Sequence, residues 1–147
     1  MARIREPLQV PIAPEQAFDH VADFTTSATW DPGITAARRL DEGPIGLGSR
    51  FEVRFALGPL SLPLVYEITH YERPDRVVLH TKGAIHEGED DVRFTGTEDG
   101  TEVLWNAMFR VRGPGVLLEP ALARGFRRVG AKAVAGLERS LTALASS

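Results

Sequence analysis

The feature that most constrains the fold is a change in hydrophobic period late in the chain. From residue 34 to residue 112, apolar and polar side chains alternate, and Gly, Pro, Asp and Asn interrupt the run at short intervals. This pattern predicts an antiparallel meander. After the breaker Gly113-Pro114-Gly115, apolar residues recur at the spacing of an amphipathic helix. Because such a helix buries its apolar face by lying across a sheet, we predict one sheet covered by one C-terminal helix.

The alternation also predicts which side chains face that helix. Phe51, Val53 and Phe55 alternate with Glu52 and Arg54, so one face of this strand is dry and the other is wet. Later strands repeat the pattern. The residues on these strands that alternation places on the dry face are Leu62, Leu64, Tyr66, Ile68, His70, Val77, Leu79, Thr81, Val103, Trp105, Ala107, Phe109 and Val111.

Two short helices are predicted between the first strand, Ile4 to Val10, and the meander. Pro14 suits a first helical position, and the apolar residues after it have helical spacing. A second helix is predicted from residue 25 or 26 to Trp30. It ends there because Asp31-Pro32-Gly33 restricts the backbone and favours a turn.

The last helix carries its apolar residues within one arc and its charged residues opposite. The arc contains Leu118, Leu122, Phe126, Val129, Ala133, Leu137 and Leu144, and the other side contains Arg124, Arg127, Arg128, Lys132, Glu138 and Arg139. We expect the basic side to be solvated rather than bound to anionic lipid or nucleic acid. Gly125 and Gly136 lie in the apolar stripe, where they either leave space above the sheet or allow close backbone packing on bulky side chains such as Trp105.

The composition narrows the class of protein. The 147 residues are 43% hydrophobic and 25% charged, which predicts a single domain over residues 1–147. Because the chain has no cysteine, disulfides, thiolate metal centres and cysteine nucleophiles are excluded, and a cytoplasmic location is expected. The N-terminus carries charges instead of a signal peptide, and no apolar stretch is long enough for a membrane span. The net charge of −3 argues against nucleic acid as a partner.

Several short segments resemble those of a known superfamily in their order along the chain. They are residues 12–18 (Ile-Ala-Pro-Glu-Gln-Ala-Phe), Asp23-Phe24, residues 30–34 (Trp-Asp-Pro-Gly-Ile), residues 43–51 (Gly-Pro-Ile-Gly-Leu-Gly-Ser-Arg-Phe), residues 71–77 (Tyr-Glu-Arg-Pro-Asp-Arg-Val) and residues 99–103 (Asp-Gly-Thr-Glu-Val). The chain is similar to the START-like (SRPBCC) superfamily, and within it to the polyketide cyclase/dehydrase and lipid-transport group.

The resemblance implies a fold and a place for a ligand. The fold is α+β of the helix-grip type: a curved antiparallel sheet of about six or seven strands wraps around the long C-terminal helix, with two short helices after the first strand. A ligand cavity lies between sheet and helix. Members bind hydrophobic or amphipathic small molecules, and some cyclise, aromatise or dehydrate polyketides.

Candidate site residues follow from strand parity and from the positions of the helices. The predicted ligand-binding residues are Trp30, Phe51, Phe55, Tyr66, His70, Thr81, His86, Asp90, Trp105 and Phe126. A cyclase needs a base that removes a proton between two carbonyls and a donor for the resulting enolate. His70 and Tyr66, on one strand, have the chemistry for these roles and need no organic cofactor. The alternative is that His70 is a hydrogen-bonded histidine at the strand end and Tyr66 a core aromatic.

Three other patterns are less favourable for chemistry. Residues 86–91 (His-Glu-Gly-Glu-Asp-Asp) contain metal-ligand types, but alternation sends them to both faces, which favours an exposed acidic hairpin or edge strand. The glycine-rich residues 43–49 lack the lysine and the following helix of a phosphate loop. No Gly-x-Ser-x-Gly elbow occurs. We therefore predict no metal and no cofactor.

Two functions stay open. The first is binding of a small hydrophobic or aromatic ligand, with cyclase or dehydratase activity undecided. The second is a non-catalytic interaction module with a closed cavity, as in the co-chaperone branch of the superfamily. Leu104 and Met108 on the wet face are compatible with the second function or with a homodimer. A cavity of roughly 300 Å³ or more, lined by Tyr66, His70 and Trp105, favours the first function, whereas tight packing favours the second.

Overall fold

The computed structural model describes residues 2–57, 59–84, 86–111, 113 and 119–145. Its strands are β1 (Ala2–Val10), β2 (Ile34–Arg39), β3 (Arg50–Leu57), β4 (Leu60–Glu72), β5 (Arg76–Lys82), β6 (His86–Thr97) and β7 (Gly100–Val111). Its helices are α1 (Pro14–Ala22), α2 (Ser27–Trp30) and α3 (Glu119–Leu144), with a 3₁₀ turn over Phe24–Thr26 before α2. The predicted order of strand, two short helices, meander and long helix is confirmed.

The seven strands form one sheet in the order β1-β7-β6-β5-β4-β3-β2. Every neighbouring pair is antiparallel. The pairing of β1 with β7 brings the two ends of the strand region together, and α3 contacts both of these strands. The curved sheet wraps around α3, which is the predicted α+β helix-grip fold. Within the described residues, no helix combines the length and the apolar character that a membrane crossing requires.

Two aspartate side chains shape the backbone just after the short helices. Asp23 ends α1, and its carboxylate accepts hydrogen bonds from the amide and the hydroxyl of Thr25 at 3.2 and 2.6 Å. Trp30 ends α2, because Asp31 has an extended backbone and its side chain accepts the Gly33 amide at 2.8 Å. This Asx turn leads the chain into β2. As a result, Trp30 and Asp31 lie beside the start of β2.

The C-terminal half of α3 anchors the helix. Ala133, Val134, Leu137 and Leu141 are buried there, and burial of each leucine contributes roughly 1.5–3 kcal/mol. In the N-terminal half, Phe126 is half-buried, whereas the side chains of Arg124, Arg127 and Arg128 are exposed. Leu118 and the side chain of Leu122 lie outside the described residues.

The two glycines of the apolar stripe have different surroundings. Gly136 is buried, and a Cβ added there lies 1.9 Å from the Trp30 carbonyl oxygen. This is the close backbone packing of the second alternative, although it occurs against α2 rather than against Trp105. Gly125 faces open space, since a Cβ there has no atom within 4 Å.

Strand β6 corrects one prediction. Its acidic start is expected at an exposed hairpin or edge, but β6 lies inside the sheet between β5 and β7. The acids are accommodated by cations on both neighbouring strands. Arg76 of β5 donates to both carboxylate oxygens of Asp91 at 3.0 and 2.9 Å. Glu87 pairs with His80 at 3.1 Å and with Arg110 of β7.

The outer face of the sheet carries Leu104 and Met108, both half-buried. Met108 lines a groove of about 350 Å³ together with Arg3, Arg5 and Asp91. Charges of both signs surround the methionine, so this groove is not a continuous apolar patch. The homodimer stays a prediction.

Candidate functional site

A cavity lies between the concave face of the sheet and α3. Its lining combines aromatic rings and small apolar side chains with two carboxyl groups and a phenol. The lining residues are Ile4, Phe24, Asp31, Ile34, Phe55, Tyr66, Asp90, Trp105, Ala107, Phe126, Val129, Gly130, Ala133 and Val134. The enclosed volume is about 50 Å³, which suits a few water molecules, whereas ligand pockets usually have about 300–1,000 Å³. A ligand of ordinary size therefore requires one wall to move outwards.

Half of the predicted ligand-binding residues line this cavity directly. They are Phe55, Tyr66, Asp90, Trp105 and Phe126. Trp30 and Phe51 lie one layer behind. Trp30 packs edge-to-face on Trp105 with ring centroids 5.3 Å apart, and Phe51 packs on Phe24 at 6.4 Å. These two rings support the wall and do not line the cavity.

Thr81 and His86 also stand behind the lining. Thr81 is buried opposite Tyr66 in the register of β4 and β5, and its hydroxyl lies 3.3 Å from Nε2 of His86. The His86 ring stacks on Phe109 at 6.4 Å, and Phe109 stacks on Phe126 at 5.5 Å. Burial lowers the pKa of His86, so its ring is neutral near pH 7. This stack supports the side of the cavity under the N-terminal half of α3.

A β-bulge turns His70 away from the cavity. The register of β4 against β5 shifts between Ile68 and His70, and such a shift moves the following side chains to the opposite face. Tyr71 consequently packs on Phe18 in the core with ring centroids 5.1 Å apart. The His70 side chain is 42% exposed, and its Nε2 lies 3.1 Å from a carboxylate oxygen of Glu72. The structure therefore does not bring His70 and Tyr66 together in one site.

Asp31 also lines the cavity, although the sequence pattern indicates it only as part of a helix stop. Its Asx turn with Gly33 holds the carboxyl between α2 and β2. Burial raises its pKa to about 6, an effect that the hydrogen bond from the Gly33 amide partly opposes. The Asp-Pro-Gly pattern is the feature of the sequence that could indicate this role for Asp31. An aspartate that caps its own turn uses one carboxylate oxygen there and keeps the second for other contacts.

Asp90 reaches the same cavity from β6. The cavity leaves part of the residue accessible, but protein atoms surround the carboxyl, and this burial raises its pKa to about 7. The Trp105 indole donates to the carboxylate at 3.4 Å and partly opposes the rise, whereas the charges of Asp31 and Glu89 add to it. Asp90 therefore exists as acid and carboxylate in similar amounts near neutral pH.

The Tyr66 phenol completes the polar part of the cavity. Burial, together with the charges of Asp90 and Asp31, raises its pKa well above the usual value. The phenol is therefore a neutral donor, and its hydroxyl has no hydrogen-bond partner among the described residues. A carboxyl group that titrates near pH 7 beside a neutral phenol can move a proton and stabilise an oxyanion.

Asp31 also connects the cavity to a groove on the surface. Trp30, Asp31 and Ile34 form one side of this groove, and Lys132 and Arg139 of α3 form the other. Its volume is about 660 Å³. Both cations are exposed, and within the described residues neither has an acidic partner. The groove and the cavity share Asp31 and Ile34 as a common wall.

Comparisons with known proteins agree with this architecture. A family model described as polyketide cyclase / dehydrase and lipid transport matches residues 1–144. The search of curated proteins found no match. Among solved structures, a START superfamily protein from Mycobacterium smegmatis has a TM-score of 0.79 and 14% identity over 98% of this chain and 99% of that chain.

Two further structures share the fold. TTHA0849 from Thermus thermophilus has a TM-score of 0.78 and 17% identity, and the match covers 99% of both chains. The di-domain ARO/CYC StfQ from the steffimycin biosynthetic pathway has a TM-score of 0.71 and 13% identity over 99% of this chain and 52% of that chain. At these identities the likeness shows the fold alone. Because the family model spans nearly the whole sequence, the chain belongs to the polyketide cyclase/dehydrase and lipid transport family.

Proposed function

We propose that the chain binds a small hydrophobic or aromatic molecule, polyketide-like or lipid-like, between α3 and the concave face of the sheet. One observation carries the proposal: two carboxyl groups and a phenol face a cavity whose other walls are apolar. A buried polar group without a partner costs about 1–3 kcal/mol. A core that served stability alone would be better filled by apolar side chains, so the polar groups indicate a ligand. Family membership supports the same kind of ligand.

Entry of such a ligand requires the cavity to enlarge, and the N-terminal half of α3 is the wall best suited to move. Phe126, Val129 and Gly130 cover the cavity from this half, and none of them is fully buried. The C-terminal half, with Leu137 and Leu141 buried, stays on the sheet. Because Phe126, Val129 and Gly130 are only half-buried, moving them outwards exposes less new apolar surface per residue than moving Leu137 or Leu141 would.

The catalytic form of this function assigns the base to Asp90 in place of His70. The Asp90 carboxylate takes a proton from a carbon between two carbonyls, and the electron pair moves to one carbonyl oxygen. Tyr66 donates a hydrogen bond to that oxygen. The enolate carbon then forms a bond to a second carbonyl carbon of the same molecule, and protonated Asp90 returns its proton to the new alkoxide. Near pH 7 both protonation states of Asp90 are available for this cycle.

Tyr66→Phe is expected to weaken binding of a neutral aromatic probe that carries a hydroxyl, such as 2-naphthol. The variant keeps the ring and removes only the hydroxyl, so the loss is that of one hydrogen bond, about three- to tenfold in affinity. The chain has two tryptophans, Trp105 in the lining and Trp30 directly behind it. Quenching of tryptophan fluorescence during titration therefore measures the affinity.

His70→Ala is the matched control for this measurement. His70 lies on the same strand but outside the cavity, so its replacement is expected to leave the 2-naphthol affinity unchanged. Equal losses in the two variants would contradict the assignment of the cavity as the binding site. Native mass spectrometry of the purified protein, which detects a co-purifying molecule directly, would then identify the natural ligand by mass.

The small size of the cavity favours a second candidate, an interaction module with a closed core. The two candidates differ in a measurable way. A binding protein gains thermal stability when a library of aromatic and aliphatic small molecules is added, by mass action on the folded state. An interaction module gains no thermal stability from these molecules, and its Tyr66→Phe variant responds to the library as the wild type does.

A further inference from the structure

The charge inside the cavity has one sign. Asp31 and Asp90 both line it, and none of the described lining residues is Lys, Arg or His. One oxygen of each carboxyl is held, by the Gly33 amide at 2.8 Å and by the Trp105 indole at 3.4 Å. The other oxygen of each has no hydrogen-bond partner in the described part of the chain. Two acceptor positions therefore remain for a ligand.

The walls near these acceptors are aromatic. Phe24 and Tyr66 lie in contact with ring centroids 4.9 Å apart, and Trp105 donates directly to Asp90. The Tyr66 hydroxyl, enclosed by protein and without a described partner, faces the same space. Aromatic faces attract cations, and an ammonium group has three donors and no acceptor. The cavity thus combines two features that suit a cationic group.

We propose that the cavity selects its ligand by charge: it accepts an apolar or aromatic molecule that carries a protonated amine and excludes the corresponding carboxylate. This inference rests on the proposed binding function and names the ligand class. A carboxylate would be buried beside two acids with no cation in the described lining, which is unfavourable in a low-dielectric site. An ammonium would supply donors to the two free oxygens. A neutral alcohol is expected to bind with an affinity between those of the ammonium and the carboxylate.

The exposed cations of α3 do not reverse this selection. Lys132 and Arg139 border the surface groove on the outer side of Asp31, and neither lines the cavity. From β6, Glu89 adds a further negative charge near Asp90. Strands β1 and β7 contribute Ile4, Trp105 and Ala107 to the lining, and none of these titrates. The ionisable groups that face the ligand are therefore Asp31, Asp90 and the Tyr66 phenol.

A matched series tests the inference: 1-naphthylmethylamine, 1-naphthalenemethanol and 1-naphthoate, titrated against the full chain by tryptophan fluorescence. At pH 8 the amine is expected to bind about tenfold tighter than the alcohol, and the carboxylate at least about tenfold weaker than the alcohol. Between pH 5 and pH 8 the affinity for the amine is expected to rise, because Asp31 and Asp90 ionise while an alkylamine stays protonated. The affinity for the carboxylate is expected to fall over the same range.

Variants assign the selection to the two acids. In the double variant Asp31→Asn with Asp90→Asn, the amine and the alcohol are expected to bind equally, and the carboxylate to lose its disadvantage. Asp99→Asn, in the exposed hairpin before β7, is the control and keeps the wild-type order. Carboxylate binding as tight as amine binding, or a double variant that still prefers the amine, would overturn the inference. If the alcohol binds and the amine does not, this inference alone fails; if no member binds, the binding function fails with it.

Discussion

Gly136→Ala is expected to destabilise the fold by about 2–3 kcal/mol, measured as the free energy of unfolding in urea. Alanine normally stabilises a helix by up to about 1 kcal/mol relative to glycine, so helix propensity alone predicts the opposite sign. The added Cβ lies 1.9 Å from the Trp30 carbonyl oxygen and 3.0 Å from its carbonyl carbon. Both are backbone atoms, which no rotamer change can move. Relief therefore requires α2 and α3 to separate.

Gly125→Ala is the matched control, because it lies in the same helix and a Cβ there meets open space. It is expected to stabilise the fold by up to about 1 kcal/mol. The two variants thus change stability in opposite directions although the chemical change is identical. A gain at both positions would show that α3 does not pack directly on the backbone of α2.

The same contact links stability to the candidate site. Gly136 sets the distance between α3 and Trp30, whose ring packs on Trp105. Asp31 follows Trp30 directly, so a shift of α2 moves both the second layer of the cavity wall and one of its two carboxyl groups. For this reason Gly136→Ala is also expected to weaken 2-naphthol binding.

The sequence was sufficient to predict the architecture, because periodicity reports on burial. The period of two over residues 34–112 and the helical period after it define the sheet and α3 independently of any single residue. Pro14 and the Asp-Pro-Gly stop at residues 31–33 placed the two short helices. The predicted cavity positions Tyr66 and Trp105 then follow from parity, since they lie on strands in which alternation is uninterrupted up to those residues.

His70 shows where parity stops being informative. The residues around it, Thr69-His70-Tyr71, continue an acceptable alternation in the sequence, yet the bulge reverses the faces. Nothing in the composition of this stretch distinguishes His70 from Tyr71 as the inward residue. Packing decides which of the two faces inwards, because Tyr71 packs on Phe18 of α1, which lies in a distant part of the sequence.

The acids of β6 show a second limit. A local run of negative charge suggests exposure, but Asp91 is paired with Arg76, and Glu87 with Arg110. These partners lie 15 and 23 residues away in the sequence, and only the strand order brings them opposite the acids. The same interior position allows Asp90, on the other face of the strand, to enter the cavity.

Asp90→Asn is expected to stabilise the protein at neutral and alkaline pH. The pKa of Asp90 is about 7 in the fold, compared with an ordinary value of 3.8. Because the raised value means that the folded state holds its proton longer, ionisation favours unfolding between these two pH values. Ionisation of Asp90 therefore has little effect on the free energy of unfolding below pH 4. It lowers that free energy progressively as the pH rises towards 7, and by a constant amount above pH 8. Asparagine keeps the shape of the side chain and removes the charge.

The measurement is the free energy of unfolding of the wild type and of Asp90→Asn between pH 4 and pH 9. The difference is expected to be near zero at pH 4 and to grow to about 2–4 kcal/mol in favour of the variant at pH 8. Other groups, such as Asp19 with its pKa lowered mainly by a hydrogen bond from Arg73, titrate equally in both proteins and cancel in the difference. Asp99→Asn, in the exposed hairpin, is expected to follow the wild-type profile. A difference that stays constant with pH would show that the Asp90 carboxyl is solvated as in the unfolded chain, which would also remove its suitability as a base near pH 7.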